Sequence, residues 1–225
     1  MNKILIVAAH PDDEVLGCGG TIAKLTKQGN DVYALILGEG VTSRDDKRNR
    51  AGRGEDLQQL KHQAEKAHKL LGIRKTFLYD FPDNRFDTVP LLDIVKVIEK
   101  VKNEITPDIV FTHYIGDLNI DHQITYQAVI TATRPLSGET VKEIYSFEIL
   151  SSTEWGYPLS FSPDVFFDIS GTIDLKIRAM SEHKTELKEF PHPRSLEGIK
   201  QNAQLWGMKT GLKYAEAFKL VRLIK

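Results

Sequence analysis

The run Ala9-His10-Pro11-Asp12-Asp13-Glu14 places one imidazole and three carboxylates side by side, directly after the apolar stretch Ile4-Leu5-Ile6-Val7-Ala8. Like charges so close repel, and one carboxyl would be forced to take up a proton unless something neutralises the group. A divalent cation does that most directly, and His with Asp is good ligand chemistry for zinc. A second charged loop, Gly116-Asp117-Leu118-Asn119-Ile120-Asp121-His122, offers what the first lacks. His10, one early aspartate and His122 give two imidazoles and a carboxylate, leaving a fourth position open for water as in a catalytic zinc site. Water on such an ion has its pKa brought towards about 7, and the spare aspartate is then placed to act as general base.

His10 and Asp13 are three residues apart, so on a helix-like turn they face one point while Asp12 projects beside it. Asp13 is therefore assigned as ligand and Asp12 as base. Glu14 opens the following helix, where its charge suits the positive end of the dipole. Asp121 is placed to orient an imidazole from behind the ligands. The same donor set suits Fe(II), so iron is the alternative metal. Two plainer readings explain less. Gly17, Gly19 and Gly20 lack the G-x-G-x-x-G spacing of a dinucleotide loop, and the carboxylates would repel a pyrophosphate. Capping of the helix by Asp12 or Asp13 accounts for the first loop but not for the second.

These groups need a scaffold, and the first two-thirds of the chain alternate in βα fashion. Strands are expected over Lys3–Ala9, Asp31–Leu37, Thr76–Tyr79 and Ile109–Thr112. Helices are expected over Leu16–Gln28, Gly54–Leu71 and Pro90–Ile105, with another starting near His122. That alternation predicts an α/β fold with a parallel sheet, and sites in such sheets lie beyond the C-terminal ends of the strands. Residues 135–225 read as a C-terminal elaboration of the same single domain. There, strands are expected at Glu143–Leu150, Val165–Ile169 and Ala215–Ile224, and helices at Ile173–Leu187 and Leu196–Met208.

With 225 residues, 41% hydrophobic and 27% charged, the chain is sized for one core. The net charge of -1 gives no reason to expect nucleic acid or an acidic membrane as partner. No apolar stretch approaches the roughly 20 residues of a transmembrane helix. The N-terminus has no signal-peptide pattern, so a cytoplasmic protein is expected. One cysteine rules out an internal disulfide framework.

The Ala-His-Pro-Asp-Asp-Glu motif closing a first strand, with Asp121-His122 after a later strand, resembles the PIG-L/LmbE-like family of metal-dependent N-deacetylases. The likeness runs from Ile4 to about Arg134. It implies a Rossmann-like, mostly parallel open sheet with helices on both faces, a zinc ion, and removal of the acetyl group from the 2-amino group of a GlcNAc-type sugar or its conjugate. It implies His10, Asp13 and His122 as zinc ligands and Asp12 as the base for attack by zinc-bound water. A small-molecule amino sugar is then the partner, and family habit adds a homo-oligomer. One position departs: several members carry a histidine where this chain has Asn119. An amide can donate to an oxyanion but cannot deliver a proton, so His192 is the first candidate for the proton donor and His113 the second. The alternatives are an amidase on another small N-acyl substrate, such as a thiol conjugate, and a non-catalytic metal- or sugar-nucleotide-binding module. Asp12 argues against the last, since a binding module needs no base beside its metal.

Other residues fall on the same edge. The loop Arg44–Arg53 is rich in arginine, with Arg53 the leading candidate to grip an anionic group on the sugar, and its length suggests a lid. Asp83, Asn84 and Arg85 are candidates to hydrogen-bond sugar hydroxyls, although turn chemistry also explains them. Trp155, in a polar cluster with Glu148, Ser151, Ser152 and Glu154, is a candidate to stack on a sugar face. Cys18 is read as packing, and His62 and His68 as solvated positions on a charged helix.

Overall fold

The computed structural model describes residues 1–225. Strands β1 (Lys3–Ala8), β2 (Asp31–Gly38), β3 (Lys75–Phe81), β4 (Ile109–His113) and β5 (Glu143–Phe147) run parallel, while β7 (Ala215–Leu223) is antiparallel to β5 and to β6 (Val165–Asp168). They form one seven-stranded sheet in the order β3-β2-β1-β4-β5-β7-β6. The helices are α1 (Asp13–Lys27), α2 (Gly54–Leu71), α3 (Leu91–Ile105), α4 (Ile120–Ala132), α5 (Ile173–Glu182) and α6 (Leu196–Thr210). The mostly parallel α/β architecture expected from the alternation is the one observed.

β1 shows why both faces of the sheet are covered. Ile4 and Ile6 enter one core with residues of α1, α2 and α5, whereas Leu5 and Val7 enter a second core with residues of α3 and α4. A strand buried on both faces reads as a continuous apolar run. From β1 the chain winds outward through β2 and β3, then returns to add β4 on the other side of β1. This reversal opens a crevice at the C-terminal ends of β1 and β4, the usual place for a site in such sheets. The loops carrying His10–Asp13 and Asp117–His122 leave the sheet there.

The boundaries differ by three residues or more in three places. α1 starts at Asp13 rather than Leu16, because the Asp12 carbonyl already accepts from Val15 N–H and Leu16 N–H. β5 stops at Phe147, where the chain turns into a short 3₁₀ helix at Thr153–Trp155. α5 ends at Glu182, and a turn closed by Glu186 N–H and Leu187 N–H on the His183 carbonyl carries the chain away from the helix. Gly17 and Gly20 are packing glycines of α1: a Cβ would lie 2.3 Å from the Phe147 ring at Gly17 and 2.8 Å from Ile169 at Gly20. No helix is long and apolar enough to cross a membrane.

Candidate active site

His10, Asp13 and His122 each present one donor atom within 4.8 Å of the others. His10 Nδ1 is 3.4 Å and His122 Nε2 3.3 Å from Asp13 Oδ2. His122 Nε2 and Asp13 Oδ1 are buried with no hydrogen-bond partner, and such atoms are rare in a native core unless something else satisfies them. Burial alone would lower both imidazoles, yet surrounding carboxylates hold His10 well above its ordinary range and His122 at about 9. The pocket thus carries a surplus of negative potential around two nitrogens and a carboxylate, which fits a divalent cation.

The far nitrogen of each imidazole is backed by a buried carboxylate. His10 Nε2 is 3.0 Å from Asp121 Oδ2, whose other oxygen accepts from Phe86 N–H at 2.9 Å. His122 Nδ1 is 3.0 Å from Asp117 Oδ1, an ion-pair contact outside hydrogen-bond geometry. Asp117 also accepts from the Ser152 and Thr153 hydroxyls and from Asn119 N–H. Such backing fixes ring orientation and tautomer. Asp121 therefore lies behind His10 rather than beside His122, its neighbour in sequence. Asp117 has no role in the sequence reading, although an aspartate in the loop after β4, two residues before the Asn119 helix cap, is a usable signal.

Asp12 occupies the helix N-cap position but its side chain caps nothing. Its φ of 124° lies in the left-handed region, a strain of about 1–3 kcal/mol for a non-glycine residue. The distortion accompanies a carboxylate in the cleft wall, 3.4 Å from Arg194 Nη1. Burial pushes this carboxyl well above the usual range, with Arg194 opposing. Behind it, Glu14 does more than meet a helix dipole. One oxygen accepts from Asp12 N–H at 3.3 Å, and the other is 2.8 Å from His68 Nε2. His68 is consequently buried, not solvated, and its Nδ1 meets Thr76 Oγ1 at 2.7 Å. His62 is exposed as expected.

A polar cleft of about 130 Å³ opens over these groups, lined also by Ser43, Arg44, Asp83, Asn84, Asn119 and Glu186. Asn119 caps α4 with its Oδ1 and gives one Nδ2 hydrogen to Asn84 Oδ1 at 2.7 Å, leaving the second amide hydrogen uncommitted. Asp83 accepts from Ser43 N–H and Oγ–H and lies 3.3 Å from His10 Nε2, so it is committed to the loop as much as to a ligand.

The remaining candidates lie outside the cleft lining. Arg85 donates to the Asp46 carbonyl. Arg53 is taken by Asp45 and Asp56, and the arginines that do line the cleft are Arg44 and Arg194. The long loop is stitched down by Arg48 and Arg50 on Glu39. His192 accepts from Arg194 N–H through Nδ1, and its ring meets the edge of the 41% exposed Trp155. His113 is fully buried, accepts from Ala9 N–H at 2.9 Å and stacks on His122 at 4.0 Å. Burial and the neighbouring imidazole hold it well below its ordinary range, so it is a structural acceptor rather than an acid. Cys18 is buried and its thiol is pushed up by burial, as suits packing.

An open α/β sheet with a His-Asp-His donor set at its switch point defines the class. The chain belongs to the PIG-L family, described as GlcNAc-PI de-N-acetylase, which matches residues 5–133. It is 31% identical over 188 residues to the uncharacterized deacetylase YaiS of Escherichia coli, covering 81% of this chain and 90% of that one. It is 29% identical over 227 residues to diacetylchitobiose deacetylase of Thermococcus kodakarensis, covering 98% and 84%. The solved structure of N,N'-diacetylchitobiose deacetylase from Pyrococcus horikoshii shares the fold, with a TM-score of 0.78, 23% identity, and coverage of 98% and 84%.

Proposed function

We propose that this protein is a metal-dependent hydrolase that removes the N-acetyl group from a GlcNAc-type amino sugar or its conjugate. The observation that carries the proposal is the convergence of His10, Asp13 and His122 within 4.8 Å, with Asp12 beside them in the wall of a polar cleft. His10, Asp13 and His122 would hold zinc, or iron in its place. A divalent cation so held supplies Lewis acidity to polarise the amide carbonyl and to acidify water.

The chain's own residues do the rest. Asp12 accepts the proton of the attacking water. Asp121 and Asp117 keep the two imidazoles aimed at the metal position. Asn119 offers its uncommitted amide hydrogen to the developing oxyanion. The one imidazole in the cleft lining, His10, is assigned to the metal, so the proton taken up by Asp12 is the one returned to the departing amine. The raised affinity of this buried carboxyl for a proton suits that transfer. Acetate and a free amino sugar result.

Acetate release from N-acetylglucosamine and N,N'-diacetylchitobiose, measured as purified, after chelation and after return of zinc or Fe(II), tests the proposal. Activity that is lost on chelation and restored by one of the ions supports it. Acetate release indifferent to chelation, or none under any condition, contradicts it.

A further inference from the structure

We infer that the substrate is an uncharged N-acetylated saccharide rather than a conjugate bearing phosphate or carboxylate; this rests on the deacetylase function proposed above. The sequence pointed the other way, since its arginine-rich loop looked ready to grip an anion. In the fold that loop's four arginines are already engaged. Arg44 Nη2 is 2.7 Å from Glu186 Oε1. Arg48 and Arg50 share Glu39, Arg50 also meets Asp80, and Arg53 is divided between Asp45 and Asp56. Arg194, the other cleft arginine, faces Asp12.

The cleft lining holds four carboxylates, from Asp12, Asp13, Asp83 and Glu186, against two guanidiniums, from Arg44 and Arg194. A divalent cation brings that balance to neutrality, and Asp117 and Asp121 behind the imidazoles tip it negative. An anion entering beside Arg44 or Arg194 would also lie beside Glu186 or Asp12, the carboxylate each already faces. Hydroxyl groups meet the same wall without breaking a pair, donating to Glu186 and accepting from Arg44.

The test compares kcat/KM of the zinc-loaded protein for N,N'-diacetylchitobiose and methyl N-acetylglucosaminide with that for N-acetylglucosamine 1-phosphate. The neutral substrates are expected to lead by at least about tenfold. Glu186→Gln frees Arg44 and should move the ratio roughly tenfold towards the phosphate, and adding Arg44→Met should reverse that gain. Equal or better turnover of the phosphate by the wild type overturns the inference and leaves the deacetylase function standing. A ratio unmoved by Glu186→Gln also overturns it, because the pair would then not set the charge preference. No acetate from any substrate removes the function and this inference together.

Discussion

On the wall formed by His10–Asp13 and Asp117–His122, the groups that would do chemistry are held from behind. The side chains of Asp13 and His122 are 1% exposed, and those of Asp117 and Asp121 are fully buried. On the facing wall Arg44, Glu186 and Arg194 are 45%, 18% and 21% exposed and are held chiefly by single ion pairs between loops. The first wall belongs to a site where small displacements are costly. The second can exchange partners, since exposed ion pairs are worth little each. The proposed chemistry thus rests on strand ends, and the proposed recognition on loops that meet across the cleft.

Replacing a ligand should break the first wall outright. Asp13→Asn or His122→Gln is expected to bring metal content and acetate release to background, read by metal analysis beside the activity assay. The next largest effect lies behind that wall, where α1 is interrupted at Cys18. Lys176 Nζ donates to the Leu16 carbonyl and pairs with Glu216, which accepts from Gly20 N–H and Thr21 N–H. Lys176→Met leaves a buried charge uncompensated and should cost about 3 kcal/mol in urea unfolding, with much of it recovered by adding Glu216→Leu.

The carboxylates behind the imidazoles give the sharpest contrast between the walls. Asp117→Asn or Asp121→Asn should weaken metal binding roughly 10- to 100-fold, while Arg44→Met leaves metal affinity where it was. Equal losses from both walls would dissolve the distinction. The smallest effect concerns Glu148, whose carboxyl burial raises above its ordinary 4.5 against hydrogen bonds from Asn202 and Trp206. The folded chain holds that proton more tightly than the unfolded chain. Its contribution is therefore full below pH 4.5 and lost as pH rises through the raised value. Glu148→Gln should gain stability relative to wild type as pH rises above 4.5 through the raised value, in denaturant titrations.

What could be read from the chain follows the same division. The strand–loop–helix order placed His10, Asp13 and His122 on one edge because apolar periodicity reports buried elements well. The sheet order and the switch point beside β1 then brought the two loops together as expected. Pairing among loop charges leaves no such trace, so in sequence Arg53 is indistinguishable from Arg44, and nothing there marks Arg194 above His192 two residues away. His68 departs from its expected solvated position for a different reason. Its neighbours on the helix, Ala64, Ala67 and Leu71, are all buried, and that stripe was legible, but the surrounding lysines and glutamates drew attention to the other face. Glu216, set between Ala215 and Ala217 in the buried half of β7, carries a similar signal.

The most direct test of the account is Asp12→Asn, with metal content and acetate release measured on the same preparation. The account predicts one metal ion per chain in both proteins, and turnover reduced by roughly 10²–10⁴-fold in the variant. Full turnover with the metal retained would show that Asp12 is not the base. Loss of the metal along with activity would show that it is a ligand, and that the division of work between Asp12 and Asp13 is wrong.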